Sequence, residues 1–426
     1  MAAEPVGTRL WKRLQDKSAW TTSADIVTVL LAFSLPWSTS LVGIFGVVLV
    51  LVMGPTIDAS TFIAQLKRPI AAAPIALFLL ALVGTLWSDA RWGLRLYAVA
   101  PTAKLLLLPL LFYHFERSER GLWVFKAFLA SCAVMVVMSW IVAFFPELTL
   151  KASDVASRGI FVKNYIDQSQ EFALCAVALA YPIAMLLREK KFALALLLGL
   201  LALGFLANMA FVIVSRTALV TIPIMLLAFA VLHLRWQTTL LVVSACLVAG
   251  ILAWFASPQL EATVGRFEKE YRQYSQEGAA TSIGERLEYY RKSLGFFVEA
   301  PVAGHGTGSI EGLFEHAAAG QTGLAAEVVR NPHNQTLNVA VQWGILGIVV
   351  LYTMWISHLL LFRGEGLVNW IGLLVVVQNI FTSLFNSHIF DFHEGWMYVI
   401  GVGVAGGIAY KNKKWGGAAA PAAAGS

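Results

Sequence analysis

The stretch from Phe192 to Val214 reads FALALLLGLLALGFLANMAFVIV and contains no charged residue over 23 positions. An α-helix of about 20 apolar residues is long enough to cross the hydrocarbon core of a bilayer. Similar runs recur along the 426-residue chain, which is 58% hydrophobic and 13% charged, whereas soluble globular domains are about 25% charged. The runs are continuous and do not alternate with polar residues, so they predict membrane-spanning helices rather than strands.

The sequence predicts an all-α, polytopic membrane protein with about twelve transmembrane helices. Their approximate bounds are 22–38, 41–56, 70–87, 94–113, 121–144, 171–187, 192–214, 217–233, 238–255, 335–361, 367–385 and 392–410. The predicted organisation is an N-terminal segment, nine spans, a large loop, three spans and a tail, over residues 1–21, 22–255, 256–334, 335–410 and 411–426. The tail ends in a low-complexity Gly- and Ala-rich segment that has the composition of a linker.

Basic residues predict the orientation, because short cytoplasmic loops are enriched in Lys and Arg. If the N-terminus is cytoplasmic, every predicted inner turn contains a basic residue. These residues are Lys67, Arg68, Arg117, Arg120, Arg188, Lys190, Lys191, Arg235, Arg363, Lys411, Lys413 and Lys414. Both termini are therefore expected in the cytoplasm. The opposite face receives a loop at about 145–170 and the large loop at 256–334, which is expected to contain at least one amphipathic helix between about residues 265 and 293.

His333 stands in the sequence Pro332-His333-Asn334, where the large loop meets the tenth span. A neutral imidazole titrates near working pH and can accept a proton from an attacking hydroxyl, so His333 is a candidate general base. The alternative is an interfacial histidine that only caps the helix or contacts a lipid headgroup. Asn334 is a secondary candidate. Gly344 and Gly347 lie one helical turn apart and predict a close helix contact that holds this end of the span.

Arg216 lies at the outer junction of two apolar spans. The positive-inside bias makes an arginine less expected there, so the residue needs a partner. A guanidinium group has a fork of donors that matches phosphate oxygens, which makes Arg216 a candidate phosphate ligand. The alternative is a structural arginine that fixes a tight turn between helices.

Arg286 and Arg291 follow in a polar helical stretch that also contains Glu285 and Glu288. Ion pairs with these glutamates on a solvated helix face are the alternative to a functional role, and such surface pairs contribute little to stability. We favour the ion-pair interpretation for Arg291, which remains only a secondary candidate.

Three lysines and arginines elsewhere are secondary candidates. Lys104 falls near the middle of the fourth predicted span, where a lysine costs roughly 3 kcal/mol on insertion scales, so it is expected to line a cavity or to pair with a carbonyl. Arg158 and Lys163 add positive charge to the outer face, where they could attract an anionic substrate or an anionic leaflet.

A polar cluster of His388, Asp391, His393 and Glu394 lies between the last two spans. Its spacing matches no strong metal-binding signature, so the sequence predicts neither a metal nor a cofactor. The sequence also lacks a P-loop, GxSxG, HExxH or Rossmann motif, and it shows no pattern typical of nucleic-acid binding.

Several of these motifs resemble those of O-antigen ligases of the WaaL type. The sequence His333-Asn334, a nine-residue spacer and then Gly344 is similar to their histidine signature. The segment Ser215–Leu219 resembles their Arg-x-x-Leu motif, and Glu285–Tyr289 resembles the arginine-containing helix of their large loop. Pro301–Gly306 is similar to their Pro-x-x-Gly-x-Gly turn.

The resemblance implies a metal-independent glycosyltransferase of the bacterial inner membrane. Such an enzyme moves a glycan from undecaprenyl diphosphate to a sugar hydroxyl of lipid A-core at the periplasmic face, in contact with membrane lipids. By position, His333 would be the general base, and Arg216 and Arg286 would bind the diphosphate. Attack on the side opposite the diphosphate would invert the anomeric centre.

Three other functions remain open at this point. An O-antigen polymerase would use the same donor with a lipid-linked acceptor, and a protein O-oligosaccharyltransferase would use a protein acceptor. A transporter of lipid-linked glycans would concentrate charged residues and interrupted helices near the bilayer midplane. In this sequence the candidate residues crowd one membrane face, with Lys104 the exception.

Overall fold

The structure is a computed structural model that describes residues 16–150, 159–162, 164–277 and 279–416. Within these ranges the regular structure is helical and no strand is present, which confirms the predicted all-α fold. The α-helices are α1 (Lys17–Ser34), α2 (Thr39–Met53), α3 (Ala59–Leu66), α4 (Pro69–Val83), α5 (Trp92–Val99), α6 (Leu107–Phe115), α7 (Gly121–Phe144), α8 (Tyr165–Ala178), α9 (Ala180–Arg188), α10 (Phe192–Phe211), α11 (Arg216–His233), α12 (Trp236–Ala256), α13 (Pro258–Glu277), α14 (Ser282–Glu299), α15 (Ile310–Ala318), α16 (Gln335–Leu361), α17 (Leu367–Thr382) and α18 (Phe392–Gly416).

Among the described residues, nine helical segments are long and apolar enough to cross a membrane. They are Thr39–Thr56, Pro69–Leu86, Trp92–Phe115, Gly121–Phe144, Tyr165–Arg188, Phe192–Phe211, Arg216–His233, Trp236–Ala256 and Gln335–Leu361. Each of the twelve predicted spans falls on helical structure, although the fourth and the sixth are each divided between two α-helices. The three outside this set are α17, which has only 16 residues, and α1 and α18, which contain polar residues such as Asp25 and Glu394.

Helix α12 shows most directly that the protein exposes an apolar surface suited to contact with lipid. None of its membrane-length window is buried in the protein, although the mean hydropathy of that window is 2.3. Large apolar side chains such as Leu241 and Phe255 are 68% and 82% exposed. Exposing apolar surface to water costs about 25 cal/mol per Å², so a helix of this kind is stable only when lipid chains cover it. The described structure is therefore that of an integral membrane protein.

Helix α18 has the opposite environment, because it is enclosed by other helices along most of its length. Its glycines allow close approach: a Cβ atom built on Gly403 would lie 2.7 Å from the side chain of Leu111 on α6, and one built on Gly401 would lie 2.7 Å from Val375 on α17. Small residues at such contacts let helix backbones pack tightly in membranes. This packing fixes the start of α18, and with it the preceding segment 383–391.

Helix α16 is interrupted at Gly344, whose φ and ψ are 58° and −150°. The turn after Pro301 fills the gap: the Ile345 amide donates to the Pro301 carbonyl at 2.8 Å, and the His305 amide donates to the Val341 carbonyl at 2.9 Å. The left-handed conformation favours glycine at this position. The predicted helix contact at Gly344 is therefore corrected to a contact between an opened helix and a loop backbone. It ties the large loop to the span that begins beside His333.

Two other regions refine the sequence predictions. The fourth predicted span, 94–113, is not one regular helix, because a 3₁₀ segment (Ala100–Leu106) separates α5 from α6. Pro101 stands at its start, where a missing N–H interrupts the α-helical hydrogen bonds. In the large loop, where at least one amphipathic helix is expected between about 265 and 293, the structure has two helices, α13 and α14.

Candidate active site

The backbone around His333 forms a tightly held turn before α16. His333 has a φ of +55°, a left-handed conformation that is uncommon for a non-glycine residue. Its amide donates to Asn331 Oδ1 at 2.9 Å, and its carbonyl accepts a hydrogen bond from the Tyr290 hydroxyl at 3.0 Å. Asn334 caps α16, since its Oδ1 accepts from the Leu337 amide at 3.1 Å. The imidazole is thus positioned by both a helix cap and a strained turn.

The hydrogen bonds around the ring determine which nitrogen carries the proton. A backbone amide can only donate, so the oxygen of Asn331 must face His333 and its Nδ2 must face Asn386, to whose Oδ1 it donates at 2.8 Å. Asn386 Oδ1 is therefore an acceptor, and it lies 3.0 Å from His333 Nδ1. Nδ1 must then donate, and Nε2 carries the lone pair. Nε2 makes no hydrogen bond within the described part of the chain.

The amide of Asn386 is itself fixed by an acid. Its Nδ2 donates to Asp391 Oδ2 at 2.6 Å, which leaves Oδ1 facing His333. Burial raises the pKa of Asp391 to about 7, with a further contribution from the negative charge of Glu394. The chain of contacts from Asp391 through Asn386 to His333 holds the imidazole in one tautomer and one orientation.

The environment of the ring keeps it neutral. Burial lowers the pKa of His333 below its ordinary value of 6.5, and the positive charge of Arg286 lowers it further. The ring of Tyr289 on α14 stacks on the imidazole, with the centroids 6.1 Å apart and the planes inclined by 27°. A neutral imidazole with a free Nε2 has the state required of a general base.

Arg286 is a cation whose charge acts on the pKa of this base. It lies half-buried on α14, and among the described residues its guanidinium forms no hydrogen bond or ion pair. Its charge acts on the pKa of His333 and also lowers the pKa of Glu270. Arg286 therefore acts electrostatically on both the base and the carboxylate that binds Arg216, and its donors remain available to a ligand.

Arg216 begins α11 and is paired with a carboxylate of the large loop. Its NH1 donates to Glu270 Oε2 at 2.8 Å, and its NH2 donates to Glu270 Oε1, so the pair is bidentate. The guanidinium also lies 4.7 Å from the ring centroid of Phe267. The partner that the sequence led us to expect for Arg216 is thus Glu270 on α13. The hydrogen bond from Arg216 lowers the pKa of Glu270, whereas burial acts to raise it.

A family model described as O-antigen ligase matches residues 201–352. This match supports assignment of the chain to the O-antigen ligase family. The resemblance noted from the sequence is thereby confirmed, and the family implies a glycosyltransferase activity of the ligase or polymerase type. The matched segment contains His333, Arg216 and Arg286. No curated protein matches the chain.

Outside the segment that carries the O-antigen ligase match, Lys104 reaches the acidic end of the site. Its Nζ donates to the Phe390 carbonyl at 3.3 Å and to the Asp391 carbonyl. The expected pairing with a carbonyl is therefore present. Glycine is required at position 395 beside it, because a Cβ atom there would collide with the Ile389 carbonyl oxygen and would also meet the lysine side chain. Lys104 fixes the backbone that presents Asp391 to Asn386.

The side chains of His388, Asp391 and Glu394 come together behind Asn386. His388 Nδ1 lies 3.5 Å from Asp391 Oδ2 and 3.4 Å from Glu394 Oε1, and one ligand atom from each residue falls within 4.8 Å of the others. Burial opposes protonation of His388, but the nearby negative charges of Glu394 and Asp391 raise its pKa. The donor types would suit a divalent cation, while the neighbouring ammonium of Lys104 already supplies positive charge.

The remaining candidates differ in what the structure shows of them. Arg291 donates from Nε to Glu288 at 2.9 Å and is 71% exposed, which agrees with the ion-pair interpretation. Arg158 and Lys163 lie outside the described residues. The site also contains residues that the sequence did not single out, namely Glu270, Tyr289, Asn331 and Asn386. Their residue types are common in loops. Only the packing of α14 and of the segment before α18 brings Tyr289 and Asn386 to His333, whereas Glu270 pairs with Arg216.

Proposed function

We propose that this protein transfers an O-antigen glycan from undecaprenyl diphosphate to a sugar hydroxyl of lipid A-core. The reaction would take place at the periplasmic face of the bacterial inner membrane, without a metal or another cofactor. The observation that carries the proposal is the pairing of a free His333 Nε2 lone pair with the unpaired charge of Arg286. The family assignment supports the same general class of reaction.

The proposed step moves one proton and exchanges one bond. His333 Nε2 takes the proton of the acceptor hydroxyl while the hydroxyl oxygen attacks the anomeric carbon of the glycan. The bond from that carbon to the phosphate oxygen breaks, and its electron pair leaves with undecaprenyl diphosphate. Attack opposite the leaving group inverts the anomeric centre. A base within hydrogen-bond reach contributes about 10²–10⁴-fold to such a step.

The leaving group gains negative charge, which must be stabilised in a water-poor site. Arg286 has unoccupied donors for this purpose. Arg216 uses one donor on each terminal nitrogen for Glu270, and a guanidinium has five N–H groups, so three remain for phosphate oxygens. Two arginines can thus take the role that a divalent metal has in other diphosphate chemistry.

Reconstitution of the purified protein in lipid vesicles tests the proposal. The vesicles would contain an undecaprenyl-diphosphate glycan, and lipid A-core, a second lipid-linked glycan or a pilin-like protein would be offered as the acceptor. We expect glycan-capped lipid A-core, detected by gel mobility, and an unchanged rate in EDTA. Product only with the second lipid-linked glycan would indicate a polymerase, and product only with the protein would indicate a protein glycosyltransferase.

Two outcomes would overturn the proposal outright. Movement of the lipid-linked glycan across the bilayer with no new glycosidic bond would indicate a transporter. Activity that is lost in EDTA and restored by Mg²⁺ would contradict metal independence and would direct attention to His388, Asp391 and Glu394.

A further inference from the structure

A cavity of about 160 Å³, partly open to solvent, lies beside the turn that holds His333. It lies between α5, the turn at 306–311, the first turns of α16 and the segment before α18. The polar residues that line it include Tyr97, Arg330, Asn331, Asn338, Ser387 and Asp391. Asn331 is shared with the site, because its Oδ1 also accepts the His333 amide at 2.9 Å. One side chain therefore separates the cavity from the turn that carries the base.

Asn338 presents an unsatisfied donor to this cavity. The residue is only 6% exposed, and its Oδ1 accepts from Gln342 Nε2 at 2.7 Å. In the described part of the protein its Nδ2 donates to no acceptor. Because Asn338 lines the cavity, this donor is open to a ligand or an ordered water that can accept from it.

Asp391 presents an acceptor to the same cavity. Its Oδ2 accepts from Asn386 at 2.6 Å, whereas its Oδ1 accepts from no donor in the ranges that the structure describes. The ring of Tyr97 stands at the mouth and is 63% exposed. A spare donor, a spare acceptor and an aromatic ring in one concave site are typical of a pocket that orients a small polar ligand.

The charges of the cavity argue against an anion. The charge of Arg330 is paired with that of Glu311, to which its Nε and NH2 donate at 2.9 and 3.0 Å. In its ionised form, the carboxyl group of Asp391 would repel a phosphate oxygen at close range. The diphosphate of a lipid-linked substrate therefore belongs with Arg216 and Arg286. What fits here is an uncharged group with several hydroxyls.

We propose that this cavity binds a neutral sugar unit of a glycan substrate, with one hydroxyl accepting from Asn338 Nδ2 and another donating to Asp391 Oδ1. The identification of the ligand as a glycan rests on the proposed transferase function. Either the acceptor oligosaccharide or the glycan on the lipid carrier could supply the sugar, and the experiment separates them.

The first part of the test measures binding without catalysis. In detergent-solubilised His333→Ala protein, saturation-transfer NMR would detect two soluble probes, the core oligosaccharide freed of lipid A and the glycan released from its carrier. Asn338→Leu removes the donor at nearly constant volume. Asn369→Leu, the control, makes the same change in the first turn of α17, where Asn369 donates only to the Glu365 carbonyl. We expect Asn338→Leu to weaken the binding of one probe about tenfold, and Asn369→Leu to leave the binding of both probes unchanged.

The second part measures transfer in vesicles with His333 intact. Asn338→Leu and the exposed variant Tyr97→Ala should each raise the KM for the substrate that supplies the sugar, about tenfold for Asn338→Leu, and leave the other KM unchanged. A rise for lipid A-core assigns the cavity to the acceptor, and a rise for the lipid-linked glycan assigns it to the donor. Tyr97→Ala keeps the test informative if Asn338→Leu does not fold.

The two proposals fail separately. If wild-type protein transfers glycan but both variants bind both probes and both substrates normally, the cavity is not a sugar site. If no transfer occurs in wild type but Asn338→Leu still loses one oligosaccharide probe, the sugar site stands and the transferase proposal falls.

Discussion

The two sides of His333 are built from different interactions. On the Nδ1 side, Asn331 and Asn386 form a network in which each side-chain donor faces an acceptor, and the imidazole is its last donor. On the α14 side, Arg286 has charge and donors but no partner among the described residues, and only the ring of Tyr289 stacks on the imidazole. A satisfied side fixes the orientation of the base, whereas an unsatisfied side leaves positive charge for an anion. The predictions below test that difference.

Replacing the base itself should have the largest effect. We expect His333→Ala to lower the transfer rate in vesicles by about 10²–10⁴-fold, because it removes the proton acceptor while the arginines remain. His316→Ala, an exposed histidine in the same loop, is the matched control. A His333→Ala protein that folds and transfers glycan at the wild-type rate would remove His333 from the reaction.

The unsatisfied side should respond next most strongly. Arg286→Ala should lower the rate by about 10²–10³-fold, because one preorganised donor to the leaving group is lost. Arg272→Ala on α13 removes an equal charge from an arginine whose side chain is 67% exposed, and it should leave the rate unchanged. Equal losses in both variants would reduce the role of Arg286 to general positive charge.

The effect of breaking the Arg216–Glu270 pair should be intermediate, and the contributions of the two residues can be distinguished. If Arg216 binds diphosphate, Arg216→Ala should slow transfer at least about tenfold more than Glu270→Gln does, since only the first variant removes a phosphate donor. If the pair only fixes the junction between α11 and α13, the two variants should lower the rate and the Tm by matching amounts. Rates in vesicles and thermal unfolding in detergent distinguish these results.

The satisfied side should give the smallest loss. Asn386→Leu removes the acceptor for His333 Nδ1 but leaves the base in place, so we expect a loss on the order of tenfold in kcat with an unchanged KM for the lipid-linked donor. The ¹⁵N chemical shifts of the imidazole should report Nδ1 protonation in wild type and a tautomer mixture in the variant. An Nε2-protonated ring in wild type would contradict the hydrogen-bond assignment.

Much of the fold could be predicted from the sequence, because a continuous apolar run such as that at Phe192–Phe211 satisfies its backbone hydrogen bonds in lipid by forming an α-helix. The interruptions were harder to predict. Gly344 continues an apolar run, and nothing local shows that its helix opens to accept the turn after Pro301. The helical break around Lys104 has a local signal in Pro101, but prolines also occur within regular spans, as Pro74 does in α4.

The site was predictable where a residue was unusual for its place. His333, Arg216 and Lys104 stood out because charged or titratable groups are rare beside apolar runs. Asn386 and Glu270 did not stand out, because amides and acids are ordinary in loops and become part of the site only through contacts across 53 or 54 positions of chain. Whether the predicted residues have their proposed roles remains for the experiments above.

The pH dependence of transfer tests most directly that His333 and Arg286 act in one site. The pKa of His333 lies below 6.5 because of burial and then because of the charge of Arg286. Since protonation of His333 abolishes its function as a base, activity in wild type should fall on acidification only below that value. Arg286→Met removes the charge, so the pKa of His333 should rise and the acid limb of its residual activity should move to higher pH. A limb that stays at the same pH in Arg286→Met would show that the base and this arginine do not share a reaction centre.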